Sequence, residues 1–277
     1  MTLRSLLFVP GDRPDRMEKA LGLGADALIL DLEDAVAPAA KPAARAEVAT
    51  FLAQPRRLPL YVRVNPLGSG MIDDDLSAIL PGAPDGIVLP KAEGGASLAA
   101  LDAKLTGDIR ILAIATETPA AIFGLGSYGG ITQRLAGLTW GAEDLPAAIG
   151  ATQAREADGS YTAPYQLARS LTLFGAHAAG VDAIETVYPD FRDLDGLAAY
   201  AARGRRGGFS GMMAIHPTQI PVINAAFTPS PAEIAHARAI VAAFAANPGA
   251  GALSLEGSMI DAPHLHAAER LLARVRP

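Results

Sequence analysis

Eight short apolar runs alternate with helix-forming stretches along 277 residues, and that rhythm predicts an α/β protein, a (β/α)8 TIM barrel with a C-terminal helical extension. The runs are Ser5–Pro10, Ala27–Glu33, Leu60–Asn65, Gly86–Lys91, Arg110–Glu117, Leu135–Ala142, Ala183–Tyr188 and Met212–His216. Most are nearly continuous in Val, Ile and Leu rather than strictly alternating, as strands buried on both faces of a parallel sheet are. Strand–helix alternation builds right-handed βαβ units. Eight such units argue for closure over an open sheet, and the length is near the roughly 250 residues of one barrel.

The intervening helices carry their own signals. Arg13–Gly24 ends on glycine, a common helix terminator. Pro42–Gln54 has proline in its first turn. Residues 73–80 open with Asp73, Asp74 and Asp75, which suit the positive end of a helix dipole. Pro119 and Pro146 each follow a strand and can open helices, and Tyr165–Gly180 is a long apolar-periodic segment. The barrel is assigned to residues 1–220. Residues 221–277 form an extension, with helices expected at Pro231–Asn247 and Pro263–Arg274 and an apolar run at Ser254–Ile260. This tail is expected to cover the barrel mouth or reach a neighbouring subunit.

Composition removes several function classes. Hydrophobic residues make up 50% and charged ones 19%, so the chain can build a large core and is not compositionally disordered. With no cysteine, disulfides and thiolate metal sites are excluded. The apolar run Ser5–Pro10 is too short for a secretion signal. No stretch approaches the roughly 18 apolar residues of a membrane span. A soluble cytoplasmic protein without a membrane partner is expected. The net charge of −6 argues against a nucleic-acid partner, because the only basic cluster, Arg203, Arg205 and Arg206, reads as a solvated loop among glycines.

The polar residues fall at the strand ends. They are Asp31, Glu33 and Asp34 at the end of the second run, Arg63 and Asn65 at the end of the third, Lys91 ending the fourth, Glu117 ending the fifth, Asp144 just past the sixth and His216 ending the eighth. In a parallel barrel these ends share one face, the face that carries the active site in barrel enzymes. Charged groups converging there need partners or a metal. Carboxylates without cysteine or clustered histidine suit Mg²⁺ or Mn²⁺ rather than Zn²⁺. Glu117 and Asp144 are the candidate ligands, and Asp31, Glu33 and Asp34 are placed to hold water on the ion. A structural salt-bridge network with Arg63 and Lys91 is the alternative.

Four other signals are set aside. Gly124-Leu-Gly-Ser-Tyr-Gly129 fits the dinucleotide pattern in letters, but a helix-like segment precedes it where a strand is required, so it reads as a flexible loop. His264 and His266, two apart on a helix, face different sides and read as surface residues. His177 reads as a packed histidine in an apolar helix, and Met212 and Met213 as core.

At Asp31-Leu-Glu-Asp-Ala-Val36, Arg63-Val-Asn65, Glu117-Thr-Pro119 and Gly141-Ala-Glu-Asp144 the chain resembles the citrate lyase β-subunit family, within the HpcH/HpaI aldolase superfamily. Phe8-Val-Pro-Gly11, Leu89-Pro-Lys91, Ala214-Ile-His-Pro217 and Gly257-Ser-Met-Ile-Asp-Ala-Pro263 extend the resemblance over nearly the whole chain. That family contains citryl-thioester, malyl-CoA and citramalyl-CoA lyases, with related thioesterases and malate synthases.

The resemblance implies a Mg²⁺-dependent carbon–carbon lyase that cleaves or forms a 3-hydroxyacyl thioester, carried on CoA or an acyl-carrier protein. It implies a Mg²⁺ site at Glu117 and Asp144, and substrate binding by Arg63 and Glu117. Contacts to CoA are implied for Phe8, Lys19, Ile215 and His216. It further implies Asp261 as catalytic acid/base, delivered from the tail of an adjacent subunit in a homo-oligomer, often a trimer. A thioesterase or synthase on the same scaffold and a non-catalytic metabolite-binding or assembly protein are the other readings.

Overall fold

The computed structural model describes residues 3–275; residues 1–2 and 276–277, the outermost of the predicted segments, lie outside the described residues. Eight parallel strands close in sequential order, with the eighth hydrogen-bonded back to the first. They are β1 (Ser5–Pro10), β2 (Ala27–Asp31), β3 (Leu60–Arg63), β4 (Gly86–Leu89), β5 (Arg110–Ile114), β6 (Leu135–Thr139), β7 (Asp182–Glu185) and β8 (Gly211–Ala214). The connections carry α1 (Pro14–Ala20), α2 (Lys41–Leu52), α3 (Ile72–Ile79), α4 (Gly95–Asp102) and α5 (Pro119–Gly124). Both α6 (Asp144–Ile149) and α7 (Ala163–Ala178) lie between β6 and β7, α8 (Leu194–Gly207) precedes β8, and α9 (Gln219–Phe227) follows it.

Alternation along each strand sends every second side chain into the barrel. Leu6, Ala27, Ile29, Tyr61, Val88, Leu112, Ile114, Ile184 and Met213 form one buried cluster there. The same parity places Asp31 two residues beyond Ile29, and Arg63 two beyond Tyr61. Asp31 and Arg63 are register neighbours on β2 and β3. The apolar filling therefore meets an ion pair at the carboxyl end of these strands.

The chain divides into two compact units, a larger one spanning Leu3–Ala226 and a smaller one that starts at Phe227. The smaller unit contains α10 (Pro231–Ala246), an antiparallel hairpin of β9 (Ala252–Leu255) and β10 (Ser258–Asp261), and α11 (Ala262–Leu272). Ala237, Ile240, Ile260 and Ala268 form its core. Ser230 and Glu233 close a reciprocal capping box at the start of α10. The hairpin turns through Glu256 and Gly257, at φ +50° and +81°, as a tight two-residue turn requires. The predicted apolar run Ser254–Ile260 is thus a hairpin, not a single segment.

Seven of the eight predicted strands begin within a residue of the observed start but run two or three residues too long at the other end. Beyond those ends, side-chain acceptors take over many of the main-chain donors. The Asp31 carboxylate accepts from Glu33 N–H and Ala35 N–H. Asp75 accepts from Asn65 N–H, Glu117 from Lys91 N–H, and the Gln219 amide oxygen from Ile215 N–H and His216 N–H.

Three sequence readings are corrected. Arg203, Arg205 and Arg206 lie in α8 rather than in a loop. Asp193 caps that helix by accepting from Gly196 N–H, and Arg205 and Arg206 occupy its last turn, where cations complement the dipole. The Gly124–Gly129 segment is held in place rather than flexible. It finishes α5, makes a 3₁₀ turn over Leu125–Ser127, and buries Tyr128, whose hydroxyl donates to Ala92 O at 3.0 Å and accepts from Gly94 N–H at 3.1 Å. His177 is exposed, with Nε2 3.3 Å from Gly208 O, because it faces the outer side of α7. Met212 and Met213 are buried as expected.

Ile29 lies at the centre of the closed barrel. Truncation there leaves a void that a ring of hydrogen-bonded strands cannot collapse around. Ile29→Ala is expected to lower stability by about 2–5 kcal/mol, read as a shift of the urea unfolding midpoint at unchanged slope.

Candidate active site

A cavity of about 430 Å³ opens at the carboxyl end of the strands, lined among others by Phe8, Arg16, Asp31, Arg63, Glu117 and Asp144. Asp31 and Arg63 reach it from the last residues of β2 and β3, and Glu117 and Asp144 from the segments that follow β5 and β6. Arg63 is the best-held cation. Its Nε and Nη2 donate to the two Asp31 oxygens at 2.8 and 2.6 Å, in the bidentate geometry that makes such pairs strong. Its Nη1 lies 3.0 Å from Glu33 and 3.5 Å from Asp34. The guanidinium carbon sits 4.8 Å from the centre of the Phe8 ring. Burial is the largest single influence and opposes its charge, but the hydrogen bonds it donates to Asp31, together with the negative charges of Asp31, Glu33 and Asp34, outweigh it and raise its pKa.

Asp31 also accepts from two main-chain N–H groups, so both its oxygens are committed. Its geometry orients Arg63 instead of leaving an oxygen for water on an ion. Glu33 is buried between Arg63 and Lys91, with Lys91 Nζ donating to Oε1 at 2.8 Å. Burial raises its pKa, and Arg63 pulls it back. Asp34 is exposed and touches only the edge of Arg63.

Glu117 is buried, and its Oε2 accepts from Lys91 N–H at 2.5 Å. Among the described residues no donor faces its other oxygen. A Cβ on Gly141 would fall 2.6 Å from Glu117 Cγ, so only glycine leaves room for this side chain. Burial pushes Glu117 up to about 8, with nearby Asp144 and Glu33 acting in the same direction and the Lys91 N–H against it. Asp144 stands in the first turn of α6, partly exposed, 3.4 Å from Lys91 Nζ. Lys91 itself has φ +51°, a left-handed conformation that costs a lysine roughly 1–2 kcal/mol.

Two carboxylates and no third donor suit a cation that keeps water and substrate as its remaining ligands, which is the habit of Mg²⁺. Among the described residues there is no cluster of three or more His, Cys, Asp or Glu able to cage a metal alone. The free oxygen of Glu117 and its reluctance to ionise both fit a dication at this point.

The remaining predicted positions separate. Phe8 and Ile215 line the cavity. His216 is partly exposed and stacked on Phe191 at 4.5 Å, and Lys19 is exposed on α1. Asp261 belongs to the smaller unit, at the start of α11, where its Oδ1 lies 2.6 Å from His264 Nδ1. Arg16 was missed in the sequence, although it precedes Lys19 by three residues and so shares its helical face. Glu185 also ends a strand but follows inward-facing Ile184, so it points outward. It is buried against Trp140, Tyr200 and Arg169, at 2.6, 2.8 and 2.6 Å, as part of the wall.

The match to a family model described as HpcH/HpaI aldolase/citrate lyase covers residues 4–217, the whole barrel and its mouth. The chain belongs to that family. A citrate lyase subunit beta-like protein of Mycobacterium tuberculosis is 38% identical over 272 residues, 97% of this chain and 94% of that protein. A (3S)-malyl-CoA thioesterase of Cereibacter sphaeroides is 36% identical over 275 residues, 98% of this chain and 94% of its own. The crystal structure of the M. tuberculosis protein CitE in complex with magnesium, acetoacetate and coenzyme A superposes with a TM-score of 0.83 at 38% identity, covering 99% of this chain and 98% of that one. Among the described residues no helix is long and apolar enough to cross a membrane.

The raised Glu117 pKa has a consequence for stability. Its carboxyl titrates near 4.5 when unfolded and near 8 when folded, so the penalty for ionising it is absent below pH 4.5 and complete above about 8. Without a cation, the thermal midpoint in chelator is therefore expected to fall between about pH 4.5 and 8. Glu117→Gln is expected to remove much of that fall. Parallel declines in the two proteins would show that Glu117 is not the responsible group.

Proposed function

We propose that this protein is a Mg²⁺-dependent carbon–carbon lyase acting on a 3-hydroxyacyl thioester. Mn²⁺ is a workable substitute. The observation that carries the reading is the convergence of Glu117, Asp144 and Arg63 on one cavity at the active face of the barrel. The magnesium complex of the related CitE protein supports the choice of ion, and its coenzyme A supports a CoA thioester over a carrier-protein one.

Glu117 and Asp144 would hold the cation. When bound, it supplies a Lewis acid that polarises the substrate's hydroxyl and carboxylate oxygens. Arg63, pre-oriented by Asp31, stabilises negative charge on the substrate with fixed donors and no reorganisation. The hydroxyl gives its proton to solvent as the bond to the thioester's α-carbon breaks. The products are a keto acid and the enolate of an acyl thioester. Asp261 donates a proton to the enolate carbon, and in the condensing direction it removes that proton. Phe8, Lys19, Ile215 and His216 are assigned to the CoA portion. Arg16, which lines the cavity, adds a cation for an anionic group of the ligand.

We further propose a homo-oligomer, with three copies the arrangement expected, in which Asp261 serves a neighbouring copy's cavity. The exposure of Phe123 on α5, and of Leu167 and Phe174, seven residues apart and so on one face of α7, supports apolar contact between copies. Thioester hydrolysis is the second reading, favoured by the similarity to a malyl-CoA thioesterase.

A panel of 3-hydroxyacyl-CoA compounds with Mg²⁺, followed by keto-acid release, separates the readings. Keto acid plus acyl-CoA indicates the lyase, and free hydroxy acid plus thiol indicates the hydrolase. Asp261→Asn is expected to keep thioester affinity and lose about 10²–10⁴-fold in turnover, and wild-type turnover in that variant would remove Asp261 from the chemistry. Glu117→Ala is expected to abolish Mg²⁺-dependent activity. Mixing the inactive Glu117→Ala and Asp261→Asn proteins under subunit exchange is expected to restore part of the activity. No recovery in demonstrably mixed oligomers would place both residues of a site in one copy.

A further inference from the structure

Lys91 is joined to the carboxylates of the mouth by two separate devices. Its main chain, left-handed at φ +51°, aims an N–H at Glu117 Oε2. Its ammonium lies 2.8 Å from Glu33 Oε1 and 3.4 Å from Asp144 Oδ1. An ordinary surface pair needs neither device. Lys104, for comparison, pairs with Asp73 across the exterior with both groups exposed and no backbone strain. Such exterior pairs contribute little.

The surrounding charges give the arrangement its meaning. Arg63 is committed first to Asp31 and then to Glu33. Lys91 is left as the cation between Glu33 and Asp144, beside Glu117. It is half-exposed on a four-carbon stem, so its ammonium can retreat toward solvent while its N–H stays on Glu117. A dication entering between Glu117 and Asp144 meets this positive charge at short range. An anionic substrate adds negative charge to the same space and offsets the repulsion.

We propose that Lys91 is a positioning residue that sets the strength of the cation site: its main chain aligns Glu117, and its ammonium weakens binding of a divalent ion that arrives without an anionic ligand. The ion and the hydroxy or keto acid then bind cooperatively, each tightening the other by the same factor. This inference rests on the reading that Glu117 and Asp144 hold a divalent cation.

The experiment is calorimetric titration of the full chain with Mg²⁺ alone, and again with a saturating small α-keto acid. Lys91→Gly keeps access to the left-handed backbone and the N–H to Glu117 while removing the charge. It is expected to bind Mg²⁺ about tenfold more tightly than wild type, and to gain less from the keto acid. Lys91→Arg is expected to bind like wild type. General damage to the site would weaken the ion, so tighter binding is a result that a merely structural role does not produce. If Lys91→Gly fails to fold, Lys91→Asn, which also tolerates this conformation, replaces it. Affinity equal to or below wild type in a folded neutral variant overturns the proposal while leaving the cation site intact. Binding that is absent in wild type, or that survives Glu117→Ala and Asp144→Ala, overturns the cation reading itself.

Discussion

The structure depends on the cost of burying carboxylates at the end of a barrel whose interior is apolar. Asp31, Glu33 and Glu117 are all buried there, beyond an apolar cluster built mainly of leucine and isoleucine. A lone buried charge costs several kcal/mol, and a well-formed ion pair only offsets that. Arg63 meets the cost for Asp31 through a bidentate pair, and Glu33 is divided between Arg63 and Lys91. Glu117 receives only a main-chain N–H from Lys91 and remains hard to ionise. The one acid left short of positive charge is also the one proposed to receive it from outside the protein.

The two compact units divide the proposed chemistry. The barrel unit carries the groups that bind and orient, namely Arg63, Glu117 and Asp144. The smaller unit carries Asp261, at the junction of a hairpin and a helix, with His264 against its carboxylate.

Much of the fold could be read from the sequence because strand burial imposes continuous apolar runs, and these survive any detail of the loops. The strand ends were harder. Glu117 and Lys91 look like the last residues of strands when only composition is visible, yet the ladder has already given way to side-chain acceptors there. Glu185 shows the other limit. It sits at a strand end like Asp31, and only the inward parity of Ile184 and Ile29 separates a wall residue from a mouth residue. The arginines of α8 were obscured by neighbouring glycines, which tertiary packing tolerates inside a helix. Arg16 was visible only as one more cation on a short amphipathic turn. The partnership of Lys91 with Glu117 runs through the main chain and leaves no trace in residue identity.

The handover from ladder to side chain at the strand ends also bears on how such a barrel changes over time. Because Asp31, Asp75, Glu117 and Gln219 each fasten the first main-chain amides of a loop, the root of that loop stays put whatever happens to its outer span. Insertions and deletions can accumulate farther out, reshaping what the opening admits, while the reactive centre keeps its dimensions. What the opening admits is then free to drift with loop length.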